Sequence, residues 1–108
     1  MSTPYSRGAR AEREAARQLI AEGWPHVHRS AGSRGPFDVV ALGPAGGLAI
    51  QVKPPASGRA SHGRALADLI AAARHLPDNV AAELWVHVPR VGFRRVPAPR
   101  EQPTREAA

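Results

Sequence analysis

The sequence predicts an α/β domain, one mixed β-sheet flanked by two helices. Three observations predict it. Two segments carry apolar residues at helical spacing. Two apolar β-type runs bracket a Gly/Pro turn, the pattern of a hairpin. A further β-type run follows the second helical segment, and mixed strands interleaved with helices give a layered sheet. A chain of 108 residues holds one such domain and not two.

Residues 6–22 read as the first helix. Ala9, Glu12, Ala16, Leu19 and Ile20 recur at helical spacing and share a face. Gly23 is placed to end it. Residues 25–29 alternate Val and His, as a short strand does, and the Gly, Ser and Pro of 30–36 make a loop. FDVVAL (37–42) and LAIQVK (48–53) are strands joined by the turn GPAGG (43–47). Both are largely apolar on both faces, as strands covered on each side are. Residues 54–63 form a connector. In the second helix, 64–76, the stripe is Leu66, Leu69, Ile70, Ala73 and Leu76, broken by Pro77-Asp78-Asn79. ELWVHV (83–88) and GFRRV (92–96) complete the strands. The domain is thus expected over 1–96, with 97–108 a Pro-rich, charged and disordered tail.

Composition narrows the function. The chain contains no cysteine, which excludes disulfides and thiolate metal sites. No apolar run reaches the length that spans a bilayer, and residues 1–13 lack the apolar stretch of a secretory signal. The expectation is a soluble, cytoplasmic protein without a membrane. Net charge is +6 and the pI is about 11.4, a balance that favours a polyanion such as nucleic acid as partner. Of the fifteen basic residues, Lys53 is the sole lysine. The arginines, like the many Ala, Gly and Pro residues, fit a GC-rich genome. A lysine surviving that bias marks a position where a compact charge able to release a proton is needed.

Asp38 lies early in the first hairpin strand. Gln51 and Lys53 are two apart in the second and point to one side of the sheet. Asp38 falls opposite Gln51 or Lys53, depending on register. In either case an acid, an amide and an ammonium converge on strands that are otherwise apolar, where unpaired polar groups are costly. This set suits phosphodiester cleavage. Mg²⁺ takes oxygen ligands, commonly one or two carboxylates with waters and substrate phosphate. Asp38 is the principal candidate ligand and Gln51 offers an amide oxygen. Lys53 can orient a water or stabilise transition-state charge. Glu12 can approach from the helix, although an acid there also suits the helix dipole.

The order of Asp38 and Gln51-Val52-Lys53 resembles the core of the PD-(D/E)XK nucleases. RGARAERE (7–14), RSAGS (29–33) and GFR (92–94) are similar to blocks of the archaeal-type Holliday-junction resolvases within that superfamily. The likeness covers residues 5 to 96. It implies a restriction-endonuclease-like core and a crossover-junction endodeoxyribonuclease of DNA recombination and repair. It also implies Mg²⁺, with Mn²⁺ as substitute, and a homodimer making paired nicks in four-way DNA. Carried onto matching positions, Glu12, Asp38 and Lys53 are active-site residues and position 51 is the second metal-binding acid. Arg13 and Arg29 contact phosphates or brace the site, and Ser30 and Ser33 sit in a loop approaching the junction. Arg7, Arg10, Arg17, Arg34, Arg59 and Arg64 are further candidates for phosphate contact.

The sequence departs from the pattern at Gln51, where the family places Glu or Asp. Methylation-directed restriction enzymes carry a natural Gln there; an inactivating replacement fits equally. Weakened Mg²⁺ binding is expected. Pro54-Pro55 after Lys53 is a milder departure that stiffens the strand's exit. The rivals are a non-catalytic DNA-binding module on the same fold and a nuclease of different DNA-structure preference. His26 and His28 alternate on a strand, but two imidazoles make a poor zinc site. His62, His75 and His87 read as surface or packing residues, and Trp24 and Trp85 as core.

Overall fold

The computed structural model describes residues 4–30, 35–55 and 62–99; side chains in the first helix are described from Gly8 onward. The order is α1 (Pro4–Ala21), β1 (His26–Arg29), β2 (Val39–Gly43), β3 (Gly46–Lys53), α2 (Gly63–Ala73), β4 (Val80–Val88) and β5 (Gly92–Pro97). The five strands lie in one sheet in chain order. Only β3 and β4 are parallel, because α2 carries the chain back between them; the other neighbours are antiparallel. The expected mixed sheet with two helices is what forms.

The core has two parts, one on each face. Ala15 and Leu19 of α1 pack on Val39, Ala41, Leu48, Ile50 and Trp85. Leu69 and Ala73 of α2 pack on Ala82, Leu84 and Val86. Trp85 alternates with Leu84 and Val86 along β4, so the helices cover opposite faces. The buried stripe of α1 is Ala11, Ala15 and Leu19, spaced by four. It lies one position from the stripe expected through Ala16 and Ile20. Ile20 is 59% exposed, since α1 turns its small residues inward to approach the sheet closely. In α2, Leu69 and Ala73 are buried and Leu66 and Leu76 pack against them, as the spacing foretold.

Several boundaries differ from expectation. The hairpin turn is two residues, Pro44 and Ala45, because Gly43 already pairs with Gly46. Gly46 and Gly47 are strand residues. A Cβ on Gly46 would collide with the backbone carbonyl of Asn79, the same carbonyl that accepts the N–H of Gly47 at 2.9 Å. Helix α2 ends at Ala73 and tightens, His75 and Leu76 donating to the carbonyls three residues back. Strand β4 begins at Val80. Strand β5 includes Pro97, and the N–H of Ala98 donates to Ala82; the remainder of the expected tail from 100 lies outside the described residues. No described helix is long and apolar enough to cross a membrane.

Candidate active site

Asp38 stands one residue before β2, where the hairpin ladder ends at Val39 opposite Ile50. Asp38 itself lies beyond the last pair of the ladder, so neither of the two pairings open from sequence is formed. Its N–H donates to the Ile50 carbonyl at 2.8 Å, one residue out of register. The amide of Val52 therefore has no ladder carbonyl on this side, and the Asp38 carboxylate accepts it instead (Oδ2, 2.9 Å). On the other side, the Asp38 carbonyl accepts the N–H of Ser30 at 2.8 Å. The aspartate is thus fixed by backbone on both neighbouring segments.

Burial pushes the Asp38 carboxyl above the ordinary carboxylate range; the Val52 amide pulls it down, the charge of Glu12 pushes it up, and Lys53 pulls it down. Glu12 and Lys53 thus both act on the charge of Asp38, in opposite directions. Gln51 and Lys53 alternate with Ile50 and Val52, and Val52 packs with the α1-side core. Gln51 and Lys53, paired with Leu84 and Val86, thus share the α2-side face of β3, whereas Glu12 belongs to α1 and reaches the group through its charge on Asp38. Arg29, the last residue of β1, donates from a terminal nitrogen to Glu12 Oε1 at 3.4 Å, while its Nε is buried without a partner.

Gln51 Oε1 is also buried and has no hydrogen-bond partner among the described residues. A buried acceptor left unpaired costs about 1–3 kcal/mol and calls for an explanation such as an ion. Among the described residues, no group of three or more His, Asp or Glu gathers to hold a metal. The cluster offers two carboxylates and one neutral oxygen, because position 51 is an amide. A hard divalent cation needs only one or two carboxylates when water and phosphate complete its shell. The residues present fit such an ion, with less charge than three acids would give.

The candidate phosphate-binding residues are less focused. Arg10, Arg13 and Arg17 are exposed on α1 at positions i, i+3 and i+7, which share a face. Arg64 is exposed in the first turn of α2, on the other helix. Ser30 is half-buried and touches the site through its backbone. Ser33, Arg34 and Arg59 lie outside the described residues, as does the side chain of Arg7.

His26 and His28 are exposed on β1, opposite Leu42 and Val40. Trp85 is fully buried, and Trp24 packs partly buried against the same core. His87 is more than a packing residue: its Nε2 lies 3.0 Å from Glu14 Oε2. It also meets Phe93 edge-on at 5.3 Å. Seventy-three positions separate His87 from Glu14, and no sequence spacing signals such a pair.

No family model matches the chain, and no curated protein matches it either. Among solved structures, the chain is similar to Archaeoglobus fulgidus Hjc, a Holliday junction resolvase from an archaeal hyperthermophile. The TM-score is 0.64 and the identity 26%, over 90% of this chain and 80% of that one. The mixed five-stranded sheet with two helices is therefore the fold of that resolvase, and the likeness to a Holliday-junction resolvase expected from sequence holds for the fold as a whole.

Proposed function

We propose that the chain is a metal-dependent endodeoxyribonuclease that nicks four-way DNA junctions in pairs, as a homodimer, with Mg²⁺ or Mn²⁺ as cofactor. One observation carries this reading: the Asp38 carboxylate is fixed by the Val52 amide between Gln51 and Lys53 of β3, and the Gln51 side-chain oxygen is buried with no partner among the described residues. The fold shared with a Holliday junction resolvase supports it.

Asp38 and Gln51 would hold the cation, with Glu12 reached through water. A bound divalent cation supplies Lewis acidity, activating water and neutralising phosphate charge. Lys53 stabilises negative charge that develops on the scissile phosphate. The Val52 amide keeps Asp38 turned toward the cluster. Arg29 steadies Glu12. Arg10 and Arg13 on α1, with Ser30, Ser33, Arg34, Arg59 and Arg64, are assigned to phosphate contact.

The neutral amide at position 51 favours a second reading, a junction-binding module with weak or absent cleavage. One assay separates the two. Labelled four-way junction, duplex and single strand are incubated with Mg²⁺, Mn²⁺ or EDTA, beside the Gln51→Glu variant. Paired, metal-dependent nicking confined to the junction is expected, faster in the variant. Junction binding without nicking in both proteins would replace the enzyme by the binding module.

A further inference from the structure

We infer that a cleft beside Lys53 binds a single unstacked nucleotide, phosphate and base together. The cleft holds about 470 Å³ and lies between the first half of α1 and the ends of β3 and β4. That volume falls in the range of small-molecule sites, roughly 300–1,000 Å³. It adjoins the acid cluster, sharing Lys53 and Val52, whose amide holds Asp38, but includes none of its acids.

Charge and wall chemistry choose the occupant. Arg10 and Lys53 line the cleft against a single acid, Glu14, so an anion is favoured. Val52, Pro54, Pro55 and Pro89 supply an apolar wall, which a bare phosphate would leave unused and a base would cover. His87 and Glu14, already 3.0 Å apart, offer a donor and an acceptor to a base edge. A nucleotide meets all three requirements.

Gly8 adds an independent observation. It lies inside α1, where glycine is a poor helix former. Among the described residues nothing lies within 4 Å of where its Cβ would sit, and its φ is not positive. Neither packing nor backbone conformation requires glycine there. Gly8 lines the cleft, and its missing side chain keeps that wall open.

The inference deepens the proposed function, since a bound DNA strand would deliver the nucleotide. Binding of a free mononucleotide, however, requires no cleavage and no metal. The test uses the full chain in EDTA with deoxyadenosine 5′-monophosphate, followed by the NMR resonances of the His87 ring. Inorganic phosphate and deoxyadenosine serve as separate probes. Saturable shifts at His87 are expected with the monophosphate, at least tenfold weaker with either half alone. Gly8→Leu should weaken monophosphate binding at least tenfold while melting no lower than the parent. Absence of shifts at His87, equal binding of inorganic phosphate, or unchanged binding by a folded Gly8→Leu protein would each overturn the inference. The junction assay can fail while this binding persists, and the reverse, so the two readings stand or fall separately.

Discussion

At the scale of single residues, Asp38 sits under opposing pressures. Burial and Glu12 favour its proton; Val52 and Lys53 favour its charge, and burial prevails. The folded chain therefore holds this proton more tightly than the unfolded chain does. Its contribution to stability is complete below the ordinary carboxylate range and is lost as pH rises through the raised folded value. Asp38→Asn keeps an acceptor for Val52 and removes the buried charge. In EDTA at pH 7 the variant should melt a few degrees higher than the parent, with the difference vanishing near pH 3; thermal melts across that range check it. Adding Mg²⁺ should raise the parent's melting temperature and leave the variant's unchanged, by linkage of binding to folding. Gln51→Glu should tighten Mg²⁺ by about tenfold, or about 1.4 kcal/mol. Calorimetric titration of both proteins decides it, and equal affinities would remove the role given to the missing charge. Asp38, Gln51 and Lys53 were singled out from sequence because polar groups interrupting apolar strands need a reason. The Val52 amide and the Arg29–Glu12 contact were not, because both depend on how the ladder ends and how α1 is seated.

At the scale of elements, the hairpin and the parallel pair meet at Gly46. Gly46→Ala should cost roughly 2 kcal/mol or more by forcing Cβ against the Asn79 carbonyl, measured by denaturant unfolding. A midpoint like the parent's would show that β4 can yield at its start. On the α1 side of β4, Arg95 lies 4.3 Å over the Trp85 ring and binds both Glu83 and Glu22. Trp85 Nε1 in turn donates to Glu83 at 2.8 Å. The guanidinium thus ties β5 to β4 and to the chain after α1. Arg95→Met keeps the apolar stem and loses these contacts; a loss of about 1–2 kcal/mol is expected, read by the same unfolding curve. Every strand and helix was visible in the sequence, and the errors lie at their ends. Gly46 and Gly47 look like turn residues but serve a close approach of backbones. Ala81 and Ala82 lack strand character, and Ala82 is buried under α2, so β4 seemed to begin later than it does. The α1 stripe was misplaced because alanines fill both candidate faces, and hydropathy alone cannot rank them.

At the scale of the molecule, a net charge of +6 and exposed arginines along α1 imply that DNA binding releases counterions. Junction affinity should fall steeply and linearly in log–log form as salt rises from about 50 to 200 mM, measured by anisotropy. Arg13→Ala should reduce the slope by about one if that side chain neutralises one phosphate; a flat response would remove the arginines from the interface. The core also sets an order of events. All residues of the proposed acid cluster lie between positions 12 and 53, yet Trp85, which shares a core with α1, β2 and β3, arrives on β4. A nascent chain halted before that tryptophan would carry each proposed catalytic group and lack the largest side chain of the core beneath α1. During synthesis, the layer that joins α1 to the sheet must therefore wait for the second half of the polypeptide to close.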